Sequence, residues 1–403
     1  MSLKENKPDL FNPDIVFIIY WGRSGSVFLQ SLLDNHPEVF STPATTLSSY
    51  HLDWEEWGET YTGKQDEKSW NQVLDAFCNK YPHLFWSIPD PTWCNLEHLG
   101  KNQDQKIEVS KTEFQQQFKY LLRQQKQPLS ISRRQVFILV HMAYELAQGH
   151  DITKKHLIIF PKHVPDMNQV MKSALEDFPN AKILGTVRDP IRGFFSHLRM
   201  HIQESRIGRY RPAQPDYDMG EAIISEQFYY LLRHLLMGWN DLPKYNPKLE
   251  IKSVQLETLH AQPEETMKEL SQWLKIQWDS CLLESTFNGL QYWGDRSAYQ
   301  KVQGFQIQHP LSDSWQSEFS LQDQKLLYLL LAKELKTWGY LNLIPKNNIF
   351  AFLLVLKPFK CEFSALIKCI QKKKYKKMLW TLRRIISSHK LMYLKFKDQI
   401  TFL

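Results

Sequence analysis

Residues 14–37 constrain the fold more than any other stretch, because they read as a buried strand, a tight turn and a helix in immediate succession. Ile15 to Tyr20 is a continuous apolar, β-branched and aromatic run, the composition of a strand covered on both faces in a parallel sheet. Gly22 and Gly25 let the backbone turn sharply and approach a ligand closely. From Ser26 onward Val27, Phe28, Leu32 and Leu33 fall at helical spacing, and Asn35-His36-Pro37 stops the helix. A turn that opens a helix offers free N–H groups and the positive end of the helix dipole, which favour a phosphate or sulfate. Arg23 adds a full charge and a fork of donors, and the Ser24 and Ser26 hydroxyls add neutral ones. The G-x-x-x-x-G-K-[ST] phosphate loop is absent and no Lys follows Gly25, which argues against a kinase or ATPase.

Two further strand-and-turn blocks follow the same plan. His156 to Pro161 reads as a second buried strand ending in Lys162 and His163, and ligands gather at the carboxyl ends of strands in open parallel sheets. A helix is expected over about 167–178. Ala181 to Val187 reads as a third strand leading into Arg188-Asp-Pro, where Pro190 suits the first turn of a helix and Ser196 lies two turns on. A helix over roughly 221–240 and a fourth strand over 250–256 complete the alternation. Between them, residues of about 42–150 form an insertion without this rhythm, rich in aromatics such as Tyr50, Trp54, Trp57, Trp70, Trp86 and Trp93. They fit either an acceptor platform on which sugar rings stack or ordinary aromatic packing. Residues 131–148 have the spacing of a partly buried helix, whose His141 reads as a packed histidine.

Composition bounds the rest. Of the residues, 43% are hydrophobic and 23% charged, as in a soluble globular protein. The five cysteines form no C-x-x-C pair, so neither a disulfide framework nor a zinc site is expected, and no Asp-rich cage suggests another metal. There is no apolar signal core at the N-terminus and no run of about 18 apolar residues, so a cytoplasmic location is expected. From Lys346 onward 14 Lys and Arg stand against Glu362 and Asp398, a net charge of +12 that leaves −5 for the preceding chain. Within this tail 371–386 reads as a basic amphipathic helix, either laid on an anionic membrane or acidic partner, or docked on the main domain as a solvated appendage.

Gly22-Arg-Ser-Gly-Ser26 after a buried strand resembles the 5′-phosphosulfate loop of sulfotransferases that use 3′-phosphoadenosine 5′-phosphosulfate (PAPS), in particular the carbohydrate and tyrosylprotein branches. Arg188 and Ser196 match the family pattern R-D-P-x-x-x-x-x-S, and Lys162, Pro165, Phe178-Pro179 and Ala181-Lys182 are similar to the run that precedes it. Leu256-Glu257-Thr258-Leu259 resembles a structural segment of the family but departs at its Tyr and Asp positions. Gly294 to Gly304 resembles the loop that closes over the nucleotide, with Lys301 inserted before Val302. The resemblance runs from about Asp14 to Tyr340, with specific motifs at the two phosphate sites.

The resemblance implies an α/β fold with a P-loop-type parallel sheet flanked by helices, an aromatic-rich insertion and a basic helical C-terminal extension: a sulfotransferase domain over 14–344 and an extension over 345–403. It implies transfer of a sulfuryl group from PAPS, without metal, to an acceptor hydroxyl, with carbohydrate preferred and a small-molecule, lipid or phenolic acceptor as the alternative. Gly22, Arg23, Ser24, Gly25, Ser26 and Val27 would hold the 5′-phosphosulfate, and Arg188 and Ser196 the 3′-phosphate. The loop with Arg296 and Ser297 would close over the nucleotide, with Ser297 near the sulfuryl group and Arg296 or Lys301 near phosphate, and Lys162 would meet the leaving oxygen. The family's carboxylate base has no counterpart in Phe40 to Leu47; His163 is the best replacement, with a histidine that only hydrogen-bonds behind the site as the alternative. A different class, a non-catalytic anion-binding or membrane-associated scaffold, would use the basic tail alone. Nucleic acid is not expected as a partner.

Overall fold

The computed structural model describes residues 10–20, 23–87, 94–125, 129–162, 167–208, 212–237, 248–294, 304–305, 319–340 and 355–400. The chain divides into two compact units: one comprises residues 1–20, 25–186 and 241–307, the other 21–24, 187–240 and 308–403.

The first unit is built on a five-stranded sheet. Its strands are β1 (Asp14–Tyr20), β2 (Val39–Phe40), β3 (Leu157–Lys162), β4 (Lys182–Val187) and β5 (Ile251–Gln255), in the order β2-β3-β1-β4-β5. β1 pairs in parallel with β3 (Ile15 beside Ile158) and with β4 (Phe17 beside Ile183), and β2 pairs in parallel with β3. The apolar run of β1 is explained by this central place, with Val16, Phe17, Ile18 and Ile19 all at most 1% exposed. Successive side chains go to opposite faces. Val16 and Ile18 pack with Leu29 and Leu33 from and beyond α1 (Ser26–Ser31), and with Met267 and Leu270 of the helix Pro263–Leu274. Phe17 faces the other way, toward Phe160, Phe178 and His51.

That second face is covered by the insertion, which is helical: α2 (Tyr50–Trp57), α3 (Glu67–Lys80), α4 (Lys111–Arg123) and α5 (Arg133–Ala147), followed after β3 by α6 (Met167–Asp177). Asp66, Ser110 and Ser132 cap α3, α4 and α5, each side chain accepting from the third backbone N–H of its helix. Tyr50, Trp54, Trp57, Trp70, Phe77 and Phe85 are buried, with ring centroids such as Trp54–Trp57 at 4.9 Å and Phe137–Phe160 at 4.8 Å. These aromatics are core and not an exposed platform. Trp86 and Tyr120, 58% and 51% exposed, depart from this, while Trp93 lies outside the described residues.

The second unit is helical: α7 (Pro190–Ile207), α8 (Met219–Ile224), α9 (Gln227–Met237), then Leu321–Leu330, Ala332–Thr337, Lys360–Gln371 and Tyr375–Ile400. The single helix expected over 221–240 is two, because Glu226 adopts φ +77°, a left-handed conformation that ends the first helix before the second begins. The basic tail shares one core with α7 to α9, in which Phe194, Phe228, Leu232 and Leu330 meet Phe359, Met392 and Phe396. Polar ties reinforce it. Lys368 pairs with Asp218 at 2.7 Å, buried His389 with buried Glu362 at 3.1 Å, and Lys395 with buried Glu334. Arg384 donates to the Ile224 carbonyl at 2.8 Å, satisfying the end of α8 where the chain breaks.

Candidate active site

The turn after β1 is shaped for an anion by its backbone. Arg23 and Gly25 both adopt left-handed conformations, φ +41° and +84°, and Gly25 is the N-cap of α1. As a glycine, the N-cap has no side chain to cap this helix, and the first internal bond runs from Leu29 N–H to Gly25 C=O at 2.9 Å. The N–H groups of a helix's first turn have no partner within the helix, and a turn with left-handed residues ahead of them suits a phosphate or sulfate. Gly25 is required twice over. Its φ penalises a side chain, and a Cβ there would lie 2.5 Å from Leu256 Cδ1. Ser24 and Ser26 are buried and Val27 half-buried; Gly22 lies outside the described residues.

The turn after β4 has a different logic. Asp189 turns its carboxylate inward to accept from the N–H groups of Ile191 and Arg192, at 2.9 and 3.0 Å, and Pro190 occupies the first helical position. The acidic residue of the Arg-Asp-Pro triplet is thus spent on capping α7. Arg188, 7% exposed, precedes that cap, and Ser196 lies half-buried on α7.

One residue near the loop was not singled out by sequence reasoning. His201 of α7 stacks on His197 with ring centroids 5.0 Å apart, and its pKa is pushed down to about 4, first by burial and then by the charge of Arg23. Arg23 therefore stands close to a neutral imidazole. Two histidines four apart on the helix that opens with Arg188-Asp-Pro were the available signal.

Lys162 closes β3, fully buried. Its Nζ lies 2.6 Å from His51 Nδ1, with the Phe160 and Phe17 ring centroids 4.7 and 5.4 Å away. Burial, and after it the charge of Arg133, holds the amine well below the usual lysine range, and burial likewise pushes His51 down. On the far side His51 Nε2 is 3.6 Å from Asp177, which Arg133 grips with its Nε at 2.6 Å. The Lys162 side chain thus enters the aromatic layer. His141 belongs to the same layer, with its Nδ1 2.8 Å from the Phe137 carbonyl and burial lowering its pKa to about 4, as befits a packed histidine. His163, Arg296 and Ser297 lie outside the described residues. Among the described residues no cluster of three or more His, Cys, Asp or Glu is arranged to hold a metal, and no helix is long and apolar enough to cross a membrane.

The sulfotransferase family model matches residues 13–280. Among solved structures the chain is similar to the sulfotransferase domain from the curacin biosynthetic pathway (18% identity over 80% of this chain and 98% of that one, TM-score 0.46). It is also similar to the sulfotransferase domain of the Synechococcus PCC 7002 olefin synthase (17%, 83% and 98%, TM-score 0.44) and to a sulfotransferase from Mycobacterium avium (11%, 68% and 66%, TM-score 0.35). No curated protein matches it.

Proposed function

The chain belongs to the sulfotransferase family, a family of enzymes that use a sulfuryl donor, and on that premise we propose that its donor is PAPS and its acceptor a hydroxyl, with carbohydrate the favoured class. The observation that carries this reading is the glycine-led first turn of α1, entered through left-handed Arg23 and Gly25. In the proposed reaction the acceptor oxygen attacks sulfur as the bond to the 5′-phosphate oxygen breaks, the hydroxyl proton passes to a base, and adenosine 3′,5′-bisphosphate leaves. Residues 22 to 27 orient the 5′-phosphosulfate, Arg188 and Ser196 hold the 3′-phosphate, and the loop with Arg296 and Ser297 would close over the nucleotide, with Ser297 toward the sulfuryl group. Charge develops on the leaving oxygen, where a fixed cation stabilises most. Arg23 is the better placed candidate for that cation, since Lys162 is sealed in the aromatic layer, where burial disfavours its charged form. Arg23→Ala then abolishes turnover, and Lys162→Ala does so only if the layer opens.

The donor assignment is tested by melting. Adenosine 3′,5′-bisphosphate should raise the melting temperature without Mg²⁺, and Arg188→Ala should weaken its binding by roughly 1.5 to 3 kcal/mol, the worth of a charge-assisted hydrogen bond. Equal binding of a ligand without the 3′-phosphate would refute the assignment. Two histidines compete for the proton, and the pH profile separates them. With His201 as base the acidic limb falls near its depressed pKa of about 4, and a limb well above that value would point to His163 instead. For the acceptor, labelled PAPS with a panel of polysaccharides, phenols and lipids decides.

A cytoplasmic protein peripheral on an anionic membrane is the location we favour. The last helix buries Ile385, His389, Met392 and Phe396, yet leaves Leu379, Trp380, Ile386 and Leu394 between 54% and 69% exposed, interleaved with Lys376, Arg383 and Lys390. Apolar groups among cations suit an interface of acyl chains and anionic headgroups.

A further inference from the structure

We propose that a cavity at the amino end of the sheet in the first unit binds a small polar molecule through its protonated amine, with Asp34 as the counter-ion. The cavity, about 370 Å³, is lined among others by Asp34, Ser41, Glu145, His150, Lys155 and Asn288. Asp34 follows α1, Glu145 ends α5 and Lys155 precedes β3, so this site gathers where β2 and β3 begin, whereas the turns after β1 and β4 leave from carboxyl ends. It is a second site, and the inference does not rest on the sulfotransferase reading.

The polar groups here are unevenly satisfied. Glu145 is fully engaged: Oε1 accepts from the Ser41 N–H at 3.2 Å, and Oε2 lies 2.7 Å from His150 Nδ1 and 3.3 Å from Lys155 Nζ. Lys155 is also engaged, donating to the Val39 and His36 carbonyls at 2.5 and 3.3 Å. Asp34, only 8% exposed, has no such support. Its Oδ2 accepts two long bonds, from the Thr286 hydroxyl at 3.4 Å and the Gly289 N–H at 3.3 Å; its Oδ1 has no hydrogen-bond partner, and no cation pairs with it among the described residues. A buried carboxylate without a cation is expensive unless one arrives.

The surroundings select the kind of cation. The carboxylates of Asp34, Glu145 and Asp151 repel an anion. No three-ligand cluster fit for a metal occurs among the described residues. The lining contains no Phe, Tyr or Trp, so the cage that favours a quaternary ammonium is missing, while Ser41, Gln148 and Asn288 offer hydrogen bonds to a polar body. A primary ammonium on a polyhydroxy or similar frame satisfies these conditions together.

Proton competition gives the site a signature. Burial, and then the charge of Glu145, pushes the Asp34 carboxyl up to about 7, against the smaller opposing pull of Gly289, Lys155 and Thr286; His36, His150, Tyr144 and Asp151 are the other titratable groups around it. An amine needs Asp34 ionised, so affinity should fall below pH 7 by up to about tenfold per pH unit.

The experiment is calorimetric titration of the full-length protein with glucamine, with sorbitol as the polyol lacking the amine, and with tetramethylammonium, at pH 8 and pH 6. Glucamine should bind at pH 8 and several-fold more weakly at pH 6, and sorbitol and tetramethylammonium should not bind. Asp34→Asn should abolish glucamine binding; the pH comparison on the unaltered protein tests the same point should that variant not fold. Absence of glucamine binding, equal binding of sorbitol, or affinity independent of pH would overturn the proposal.

Discussion

Lys162 and His51 share one short contact inside a shell of Phe17, Phe160 and Phe137, where an ammonium would be stranded from water. The folded pKa of Lys162 is lowered, so the folded protein binds fewer protons there than the unfolded chain does. The stability tied to this group is therefore fully present above the unfolded lysine value and is lost as pH falls toward the folded one. Urea unfolding at pH 7 and 9.5 should show the protein gaining stability at the higher pH, and Lys162→Met should flatten that gain. His141 carries the corresponding effect at lower pH. With its pKa at about 4 against an ordinary 6.5, stability drains as pH falls through that window, by about 3 kcal/mol in total. Asp34, raised to about 7, works with the opposite sign between pH 4 and 7, so the comparison must be between the unaltered protein and His141→Asn. An unchanged acid slope in that variant would remove His141 from the account.

Among the elements, β1, β3 and β4 were legible because strands enclosed by parallel neighbours must be apolar on both faces, which leaves a run no amphipathic helix imitates. Gly25 was legible for a similar reason, since few residues tolerate its conformation. Gly25→Ala should lose binding of adenosine 3′,5′-bisphosphate and lower the melting temperature; adding Leu256→Ala should restore part of the stability by removing the 2.5 Å clash but not the left-handed strain. Other features left no local trace. β2 is two residues long and is made by its neighbour β3, not by its own composition. The break at Glu226 depends on a left-handed residue that is not glycine and is held by Arg384 from far along the chain. The aromatics of the insertion read equally well as platform or core, because residue type does not say which rings meet. Arg23 was expected at the phosphate loop; its neighbour His201, set by the packing of α7, was invisible without the fold.

At the scale of the whole molecule, the basic tail is both docked and available. Phe359, Met392 and Phe396 sit in the core with Phe194 and Phe228, so removing residues after about 343 should unfold or aggregate the second unit, measured by circular dichroism and light scattering. The membrane reading therefore needs surface substitutions. Lys376→Glu, Arg383→Glu and Lys390→Glu together should leave melting nearly unchanged and abolish co-sedimentation with phosphatidylserine vesicles, at about 1 kcal/mol for each basic residue removed. Co-sedimentation that survives these changes would reject it. The second unit also joins segments that are far apart in order of synthesis, since residues 187–240 pack against side chains as late as Phe396. At roughly 5–20 residues per second a ribosome needs about 10–30 s to travel between them. For that interval Phe194, Phe228 and Leu232 emerge without their partners, which makes the nascent chain a client for holding chaperones and makes late-truncated products targets for degradation.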